Sequence, residues 1–332
     1  MRSVLVGLAA LFALCAAAPA PAGAAPFAPL DQRGPALRHD RDDLRASLNC
    51  TSGMRNARRT PVLLLSGTTV SPEESFAWNW MPALTDAGFP WCASTAPDPG
   101  NMGDIQARGE YVVYAIRRMY RMADRRIAIY GHSQGGMVAR WPLRFWPETR
   151  RMVSDIVAAA PSNRGTDAAV FVCGLGACPA SFWQQATGSD FITALNSRTE
   201  TFRRVSYTNV YSRYDQIVAP NGSESGRSAL AGPGKITNVA VQDICPASLS
   251  EHLLVGTIDQ VTWRLFIDAV SRRGPADPAA GEPGCDGALM PGIDRLTYAT
   301  DLAAAAASLA NAALTYPYVT AEPPLRGYVY RR

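Results

Sequence analysis

The chain has 332 residues, of which 47% are hydrophobic, and its 32 basic and 28 acidic residues leave a formal net charge of +4. This length allows one large α/β domain or two smaller ones around a substantial core. The small positive excess is spread along the chain, and no basic stretch is interleaved with aromatic residues as in nucleic-acid-binding proteins. We therefore expect no nucleic-acid partner.

The N-terminal residues have the pattern of an export signal. Arg2 precedes an apolar stretch over residues 4–18, and small residues at 22–24 suit a signal peptidase. The stretch is shorter than the roughly 20 residues that span a bilayer, which disfavours a membrane anchor. Cys15 follows a bulky leucine, which disfavours a lipoprotein signal. The sequence therefore predicts a signal peptide over residues 1–25 and an extracellular mature protein, which we expect to be a monomer.

Removal of the signal would leave six cysteines, an even number that is typical of an exported chain with three disulfides. These cysteines are Cys50, Cys92, Cys173, Cys178, Cys245 and Cys285. The sequence leaves their pairing open, although the glycines between Cys173 and Cys178 would allow a small local loop. No histidine lies near that pair, so we expect no metal site there, and we expect no cofactor.

The first half of the chain predicts strands that alternate with helices. Residues 26–59 have no clear periodicity and predict a surface arm that leads into the fold. Residues 62–65 are apolar and end in the polar turn Ser66-Gly67-Thr68-Thr69, as in a buried parallel strand. Residues 111–120 space their apolar side chains as a helix does, and residues 127–130 predict a second buried strand.

The same alternation continues to the C-terminal part of the chain. Residues 137–145 predict a helix, and residues 156–160 and 205–211 predict two more strands. The alanine-rich residues 301–314 predict a helix that either packs against the fold or lines a pocket. The order of elements indicates a single α/β domain over residues 26–332, with a mostly parallel sheet and helices on both faces.

Residues 131–135, Gly-His-Ser-Gln-Gly, fit the G-x-S-x-G motif of a nucleophile elbow. The motif lies between an apolar strand and a predicted helix, where an elbow projects its serine above the sheet. The strained turn needs small neighbours, and Gly131, Gly135 and Gly136 provide them. We therefore predict Ser133 as a nucleophile.

A serine hydroxyl needs a histidine to accept its proton, and the chain has only three histidines. His39 precedes the predicted core. His132 is held in the elbow beside the serine, a poor position for its ring to reach back to the hydroxyl. His252 therefore remains as the predicted base.

The histidine in turn needs a carboxylate. Hydrolases with a nucleophile elbow place this carboxylate between the serine and the histidine in the sequence. Asp215 fits best because it follows the strand-like residues 205–211. The other aspartates that we weighed lack that placement: Asp155, Asp167, Asp190 and Asp243. An anionic intermediate needs hydrogen-bond donors as well, and we predict the backbone N–H of Gln134 and the turn residue Thr68.

With these residues assembled, the chain resembles the Candida antarctica lipase B family, from about Cys50 to the alanine-rich helix. The matching stretches are Pro61-Val62-Leu63-Leu64-Leu65 with Gly67-Thr68, Ser75-Phe76 with Asn79-Trp80, Ser133-Gln134-Gly135-Gly136, Trp183-Gln184-Gln185 with Thr187-Gly188, and Thr208-Asn209 with Tyr211-Ser212. The resemblance implies the α/β-hydrolase fold, the same three catalytic residues and the same oxyanion donors. It also implies the disulfides Cys50–Cys92 and Cys245–Cys285, which leaves Cys173 to pair with Cys178.

The resemblance also implies a substrate pocket. Ile217 and Val218 match apolar pocket residues of the family, so we expect them to contact substrate. His132 stands where the yeast lipase has a tryptophan that shapes the alcohol pocket, and Ser162 stands where it has an aspartate near the acyl site. We expect both positions to belong to the pocket, but with a selectivity that does not carry over.

Together these features predict a secreted serine lipase or carboxylesterase that cleaves acylglycerol-type esters through an acyl-enzyme. Its expected partner is an ester or lipid substrate, with transient contact at lipid interfaces. One alternative is an exported polyester hydrolase or acyltransferase, which a wide cleft without a lid would favour. Another is a non-catalytic surface-binding protein of the same fold, against which the complete triad argues.

Overall fold

The computed structural model describes residues 26–55, 57–95, 98, 100–222 and 225–331. The predicted signal peptide lies outside these residues. The described strands are β1 (Leu48–Cys50), β2 (Val62–Leu65), β3 (Trp91–Ser94), β4 (Ile127–His132), β5 (Val153–Ala159), β6 (Ser206–Tyr211) and β7 (Lys235–Ala240).

Helices connect the strands and cover them. They are α1 (Arg41–Ala46), α2 (Pro72–Phe76), α3 (Trp80–Asp86), α4 (Ile105–Ala123), α5 (Gln134–Val138), α6 (Arg140–Phe145), α7 (Asp167–Cys173), α8 (Ala180–Gln185), α9 (Asp190–Asn196), α10 (Val241–Ile244), α11 (His252–Thr257), α12 (Gln260–Ser271) and α13 (Tyr298–Thr315). No described helix is both long and apolar enough to cross a membrane.

The seven strands form one sheet in the order β1-β3-β2-β4-β5-β6-β7. Only β1 is antiparallel to its neighbour, and all other neighbouring strands are parallel. The prediction of a mostly parallel sheet is therefore confirmed. Because the carboxyl ends of parallel strands meet at one edge, the turns after β2, β4 and β6 lie together there.

Two apolar clusters lie on opposite faces of the sheet. Leu63 and Leu65 pack with residues of α4 and α6, whereas Val62 and Leu64 pack with residues of α3 and α12. Successive side chains of a strand point to opposite faces, so a strand that is covered on both faces must be apolar throughout. This explains why the central strands read as uninterrupted apolar runs.

The helix predicted over residues 137–145 is two helices, α5 and α6, which meet at Ala139. Pro142 explains the interruption. Proline has no backbone N–H, and its ring clashes with the carbonyl four residues earlier, which here belongs to Val138.

The arm predicted over residues 26–59 contains two regular elements, α1 and the edge strand β1. The strand has only three residues, which is too short for a periodic signal in the sequence. The first and last described segments also contact each other: Phe27 stacks on Tyr330 with ring centroids 6.1 Å apart.

The structure contains three disulfides, Cys50–Cys92, Cys173–Cys178 and Cys245–Cys285, which are the pairs that the resemblance implies. The first joins β1 to β3, where Cys50 and Cys92 are partners in the strand register. The described residues hold no group of three or more histidine, cysteine or acidic side chains arranged to bind a metal ion.

Candidate active site

The elbow after β4 places Ser133 in an unusual backbone conformation. Its φ is 55° and its ψ is −124°, and its N–H donates to the carbonyl of Ala159 at 2.8 Å. The neighbouring glycines are needed for close packing. A Cβ on Gly131 would lie 2.5 Å from the carbonyl carbon of Gly135, and a Cβ on Gly135 would overlap the carbonyl of Leu65. The motif therefore forms the tight turn that the sequence predicts.

His252 and Asp215 form a buried pair at the same edge of the sheet. The distance from Nδ1 of His252 to Oδ2 of Asp215 is 2.8 Å. The second carboxylate oxygen accepts the backbone N–H groups of Ile217 at 2.9 Å and Val218 at 2.7 Å. An ionised carboxylate only accepts hydrogen bonds, so Nδ1 carries the proton of the neutral ring and Nε2 can accept one.

Ser133 and His252 both line a cavity of about 490 Å³. Its walls are mainly apolar and include Val70, Val172, Phe182, Ile217, Val218 and Leu253. Three alanines of α13 also line it: Ala305, Ala306 and Ala310. The alanine-rich helix thus forms part of the pocket wall.

The two predicted oxyanion donors lie next to each other. Gln134 is the first residue of α5, and N–H groups in the first turn of a helix have no partner within the helix. Thr68 follows β2 and lines the cavity. The side chains of Gln134 and Gln185 both donate to Oγ1 of Thr68, at 3.1 Å and 3.0 Å. The turn after β2 is therefore tied to the elbow.

Ser162 is not among the described residues that line the cavity, in contrast to the expectation that it belongs to the pocket. Its side chain is fully buried, and its Oγ donates to Oε1 of Gln185 at 2.9 Å. Gln185 does line the cavity, so this hydrogen bond links Ser162 to the pocket wall.

His132 lines the cavity and also supports His252. Its Nε2 lies 2.9 Å from the backbone carbonyl of His252, and the two rings are 5.1 Å apart. Burial lowers the pKa of His132 to about 3, so its ring is neutral at neutral pH. The carbonyl can only accept, so Nε2 of His132 carries the proton and donates it.

Several site residues gave no recognisable signal in the sequence. Asn101 has a positive φ of 55°, and its Nδ2 donates to the carbonyls of Gly67 at 2.8 Å and Val70 at 2.9 Å. Arg108 lies in the middle of α4, where a charged residue ordinarily indicates a solvent-facing side. Of the aspartates weighed as the acid, Asp215 contacts a histidine, whereas Asp167 and Asp243 pair with Arg227 and Arg213.

Comparisons with known proteins agree with this geometry. No family model matches the chain. Lipase B of Pseudozyma (Candida) antarctica is 34% identical over 256 residues, which cover 75% of this chain and 71% of the relative. The crystal structure of Aspergillus fumigatus lipase B matches with a TM-score of 0.82 and 25% identity, over 90% of this chain and 74% of that one.

A Bacillus licheniformis lipase in its propeptide form matches with a TM-score of 0.52 and 13% identity, over 69% of this chain and 54% of that one. At that identity the likeness shows the fold alone. The parallel sheet with helices on both faces is the α/β-hydrolase fold. From the sequence identity and its coverage, the chain belongs to the lipase B family of ester hydrolases.

Proposed function

We propose that the chain is a secreted serine lipase or carboxylesterase that acts through an acyl-enzyme. One observation carries this proposal: a single cavity is lined by Ser133 at the tip of the elbow and by His252, which is paired with Asp215 at 2.8 Å. A nucleophile, a base and an orienting carboxylate are the groups that acyl transfer by serine requires.

In the first half of the reaction, Oγ of Ser133 attacks the ester carbonyl while Nε2 of His252 takes its proton. Asp215 keeps the imidazole in the right tautomer and stabilises its charged form. The negative charge on the carbonyl oxygen is met by the backbone N–H of Gln134 and by Thr68. The intermediate then collapses, and His252 gives the proton to the departing alcohol.

In the second half, water enters the place that the alcohol has left. His252 accepts a proton from the water, whose oxygen attacks the acyl-enzyme, and the same donors stabilise the second intermediate. Collapse releases the acid and returns the proton to Ser133. The residues of this chain supply every step without a metal or an organic cofactor.

The walls of the cavity support an apolar acyl group as the substrate. Val70, Val172 and Phe182 present hydrocarbon to the cavity, and burial of hydrocarbon yields about 25 cal/mol per Å². The three disulfides support export, because such bonds persist in oxidising compartments. We therefore place the activity on lipid-like esters outside the cytoplasm.

The test is hydrolysis of p-nitrophenyl esters from acetate to palmitate by the mature protein and by Ser133→Ala. We expect the variant to lose at least about 10⁴-fold in kcat/KM, since the triad acts as a unit. Ser154→Ala, at the opposite end of the sheet on β5, serves as a matched control and should keep wild-type activity. Activity that survives in Ser133→Ala would rule out the serine mechanism. A wild type inactive on every ester would favour a non-catalytic binding protein.

A further inference from the structure

A buried arginine lies beneath the elbow. Arg108, on α4, is 4% exposed, and its Nη2 donates to the carbonyl of Ser66 at 2.8 Å. Its Nη1 donates to Oε1 of Gln134. Burial lowers the pKa of Arg108 to about 9 against the attraction of Asp98, so the guanidinium is still charged at neutral pH. A buried charge is costly unless its donors are satisfied, and both of these bonds lead into the site.

Arg108 and the backbone carbonyl of Asn101 both fix which way the Gln134 amide faces. A guanidinium has donors only, so the atom of Gln134 that contacts it must be the carbonyl oxygen. The amide nitrogen then faces the other way and donates to Oγ1 of Thr68 at 3.1 Å and to the carbonyl of Asn101 at 2.9 Å. An amide nitrogen aimed at a backbone carbonyl is consistent with this orientation.

Gln185 donates to the same hydroxyl from a second direction. Its Nε2 contacts the carbonyl of Ser181 at 3.1 Å and Oγ1 of Thr68 at 3.0 Å, while its Oε1 accepts from Ser162. A hydroxyl has two lone pairs and one proton, so Oγ1 of Thr68 has both lone pairs occupied. Within the described residues that proton has no acceptor, and Thr68 lines the cavity with Ser133. The proton is therefore available to an ester oxygen.

We propose that Arg108 is a positioning residue for the oxyanion hole, which acts through the Gln134 amide on the hydroxyl of Thr68. The inference rests on the proposed function and adds a residue to it. With Oε1 held by Arg108, the amide nitrogen stays on Thr68 and the hydroxyl proton stays turned towards the substrate. Without Arg108 only the carbonyl of Asn101 opposes rotation of the amide, and the oxygen of a rotated amide would take the proton of Thr68.

A double-mutant cycle tests this coupling through kcat and KM for p-nitrophenyl butyrate. Thr68→Val removes the hydroxyl with little change of shape, and we expect a loss of about 10²-fold in kcat, as for an oxyanion donor. We expect Arg108→Gln to lower kcat by about 10-fold with little change in KM, and Arg108→Lys to retain most of the activity. The double variant Thr68→Val with Arg108→Gln should be no slower than Thr68→Val, since no hydroxyl is left to orient.

Arg140→Gln is the matched control for the loss of a buried arginine. Arg140 is 2% exposed and bonds to Asn163, Asn196 and the carbonyl of Glu200, away from the oxyanion donors. Any fold loss in kcat that Arg140→Gln causes should multiply with the loss from Thr68→Val in the double variant. The same multiplication for Arg108→Gln would overturn the inference, because it would indicate a purely structural role.

The cycle remains informative if Arg108→Gln does not fold. Gln134→Leu interrupts the same path but keeps the backbone N–H of residue 134, and its loss should likewise vanish in the Thr68→Val background. If the losses in kcat multiply and Ser133→Ala abolishes activity, the role of Arg108 is overturned and the proposed function stands. A wild type without ester hydrolysis would overturn both.

Discussion

Gly256 and His132 pack closely beside His252, the proposed base. Gly256 lies on α11, four residues after His252, and its carbonyl accepts Nε1 of Trp80 and the hydroxyl of Tyr130, each at 2.8 Å. A Cβ on Gly256 would overlap the ring of His132. The ring of His132 also donates to the carbonyl of His252, so a displacement of His132 would directly displace His252.

We predict that Gly256→Ala lowers kcat for ester hydrolysis by about 10-fold to 100-fold, the range for a catalytic group displaced by up to 1 Å. Alanine stabilises a helix interior by about 1 kcal/mol relative to glycine, but an overpacked core costs about 1 to 3 kcal/mol. Because the overlap with His132 outweighs the gain in helix propensity, the variant should be less stable and should unfold at a lower temperature.

The measurement is a kinetic assay together with thermal unfolding. Gly327→Ala is the control, because a Cβ on Gly327 would meet no atom within 4 Å. It should match the wild type in both assays. A Gly256→Ala variant that is both stabilised and fully active would show that His132 has room to move and does not hold His252.

At the scale of single residues, candidates that a local motif or a rare residue type marks could be selected from the sequence, and the structure places them at one cavity. Ser133 belongs to a motif, and His252 is one of only three histidines. Arg108 and Asn101 could not be found, because their roles depend on contacts across the fold. Ser162 was expected to be in the pocket by analogy of position, but the intervening side chain of Gln185 decides what it contacts.

Among the secondary-structure elements, β5 has different chemistry at its two ends. Its carboxyl end leads to the active site, whereas Asp155 is buried near its amino end. Burial raises the pKa of Asp155 to about 6, although Ser154, Arg126 and Ser206 oppose the shift. The folded state thus holds this proton more tightly than the unfolded state. The contribution of Asp155 to the free energy of unfolding is therefore highest at low pH. It falls as the pH rises from 3.8, the ordinary pKa of the group, to about 6, its pKa in the folded state.

We predict that Asp155→Asn raises the free energy of unfolding by about 1 to 3 kcal/mol at pH 8, because the amide avoids burial of a charge. The gain should disappear near pH 4, where the carboxyl group of the folded wild type is protonated. Urea unfolding at the two pH values measures it, and ester hydrolysis should be unchanged.

Asp124→Asn provides the control, since it removes a negative charge at an exposed position that asparagine also tolerates with φ near 50°. A gain that is equal at both pH values would mean that packing, and not the charge of Asp155, limits stability.

Helices and strands could be predicted from the sequence where they are long enough and buried enough to show an apolar pattern. Central strands such as β2 and β4 were predicted from apolar runs, which both faces of a parallel sheet require. The edge strand β1 was missed because three residues carry no period. The choice between packing and pocket lining for α13 was open, since both functions suit a stripe of small side chains. Tertiary contacts alone place Ala305 and Ala306 at the cavity.

For the whole molecule, the disulfides close loops of very different length. Cys50–Cys92 attaches the edge strand β1 to the sheet and spans 42 residues of sequence, whereas Cys173–Cys178 spans 5. A disulfide stabilises mainly by restricting the unfolded chain, and the restriction grows with the length of the loop that it closes. The two bonds should therefore differ in their contribution to stability.

We predict that Cys50→Ala with Cys92→Ala lowers the free energy of unfolding by about 4 kcal/mol, and Cys173→Ala with Cys178→Ala by about 2 kcal/mol. In the second variant the backbone of Cys178 keeps its two hydrogen bonds to Val319, at 3.1 Å and 2.9 Å, which hold the loop in place. Urea unfolding of the oxidised proteins measures both values. A larger loss for the short loop would show that native contacts of α7, and not chain entropy, determine what each disulfide contributes.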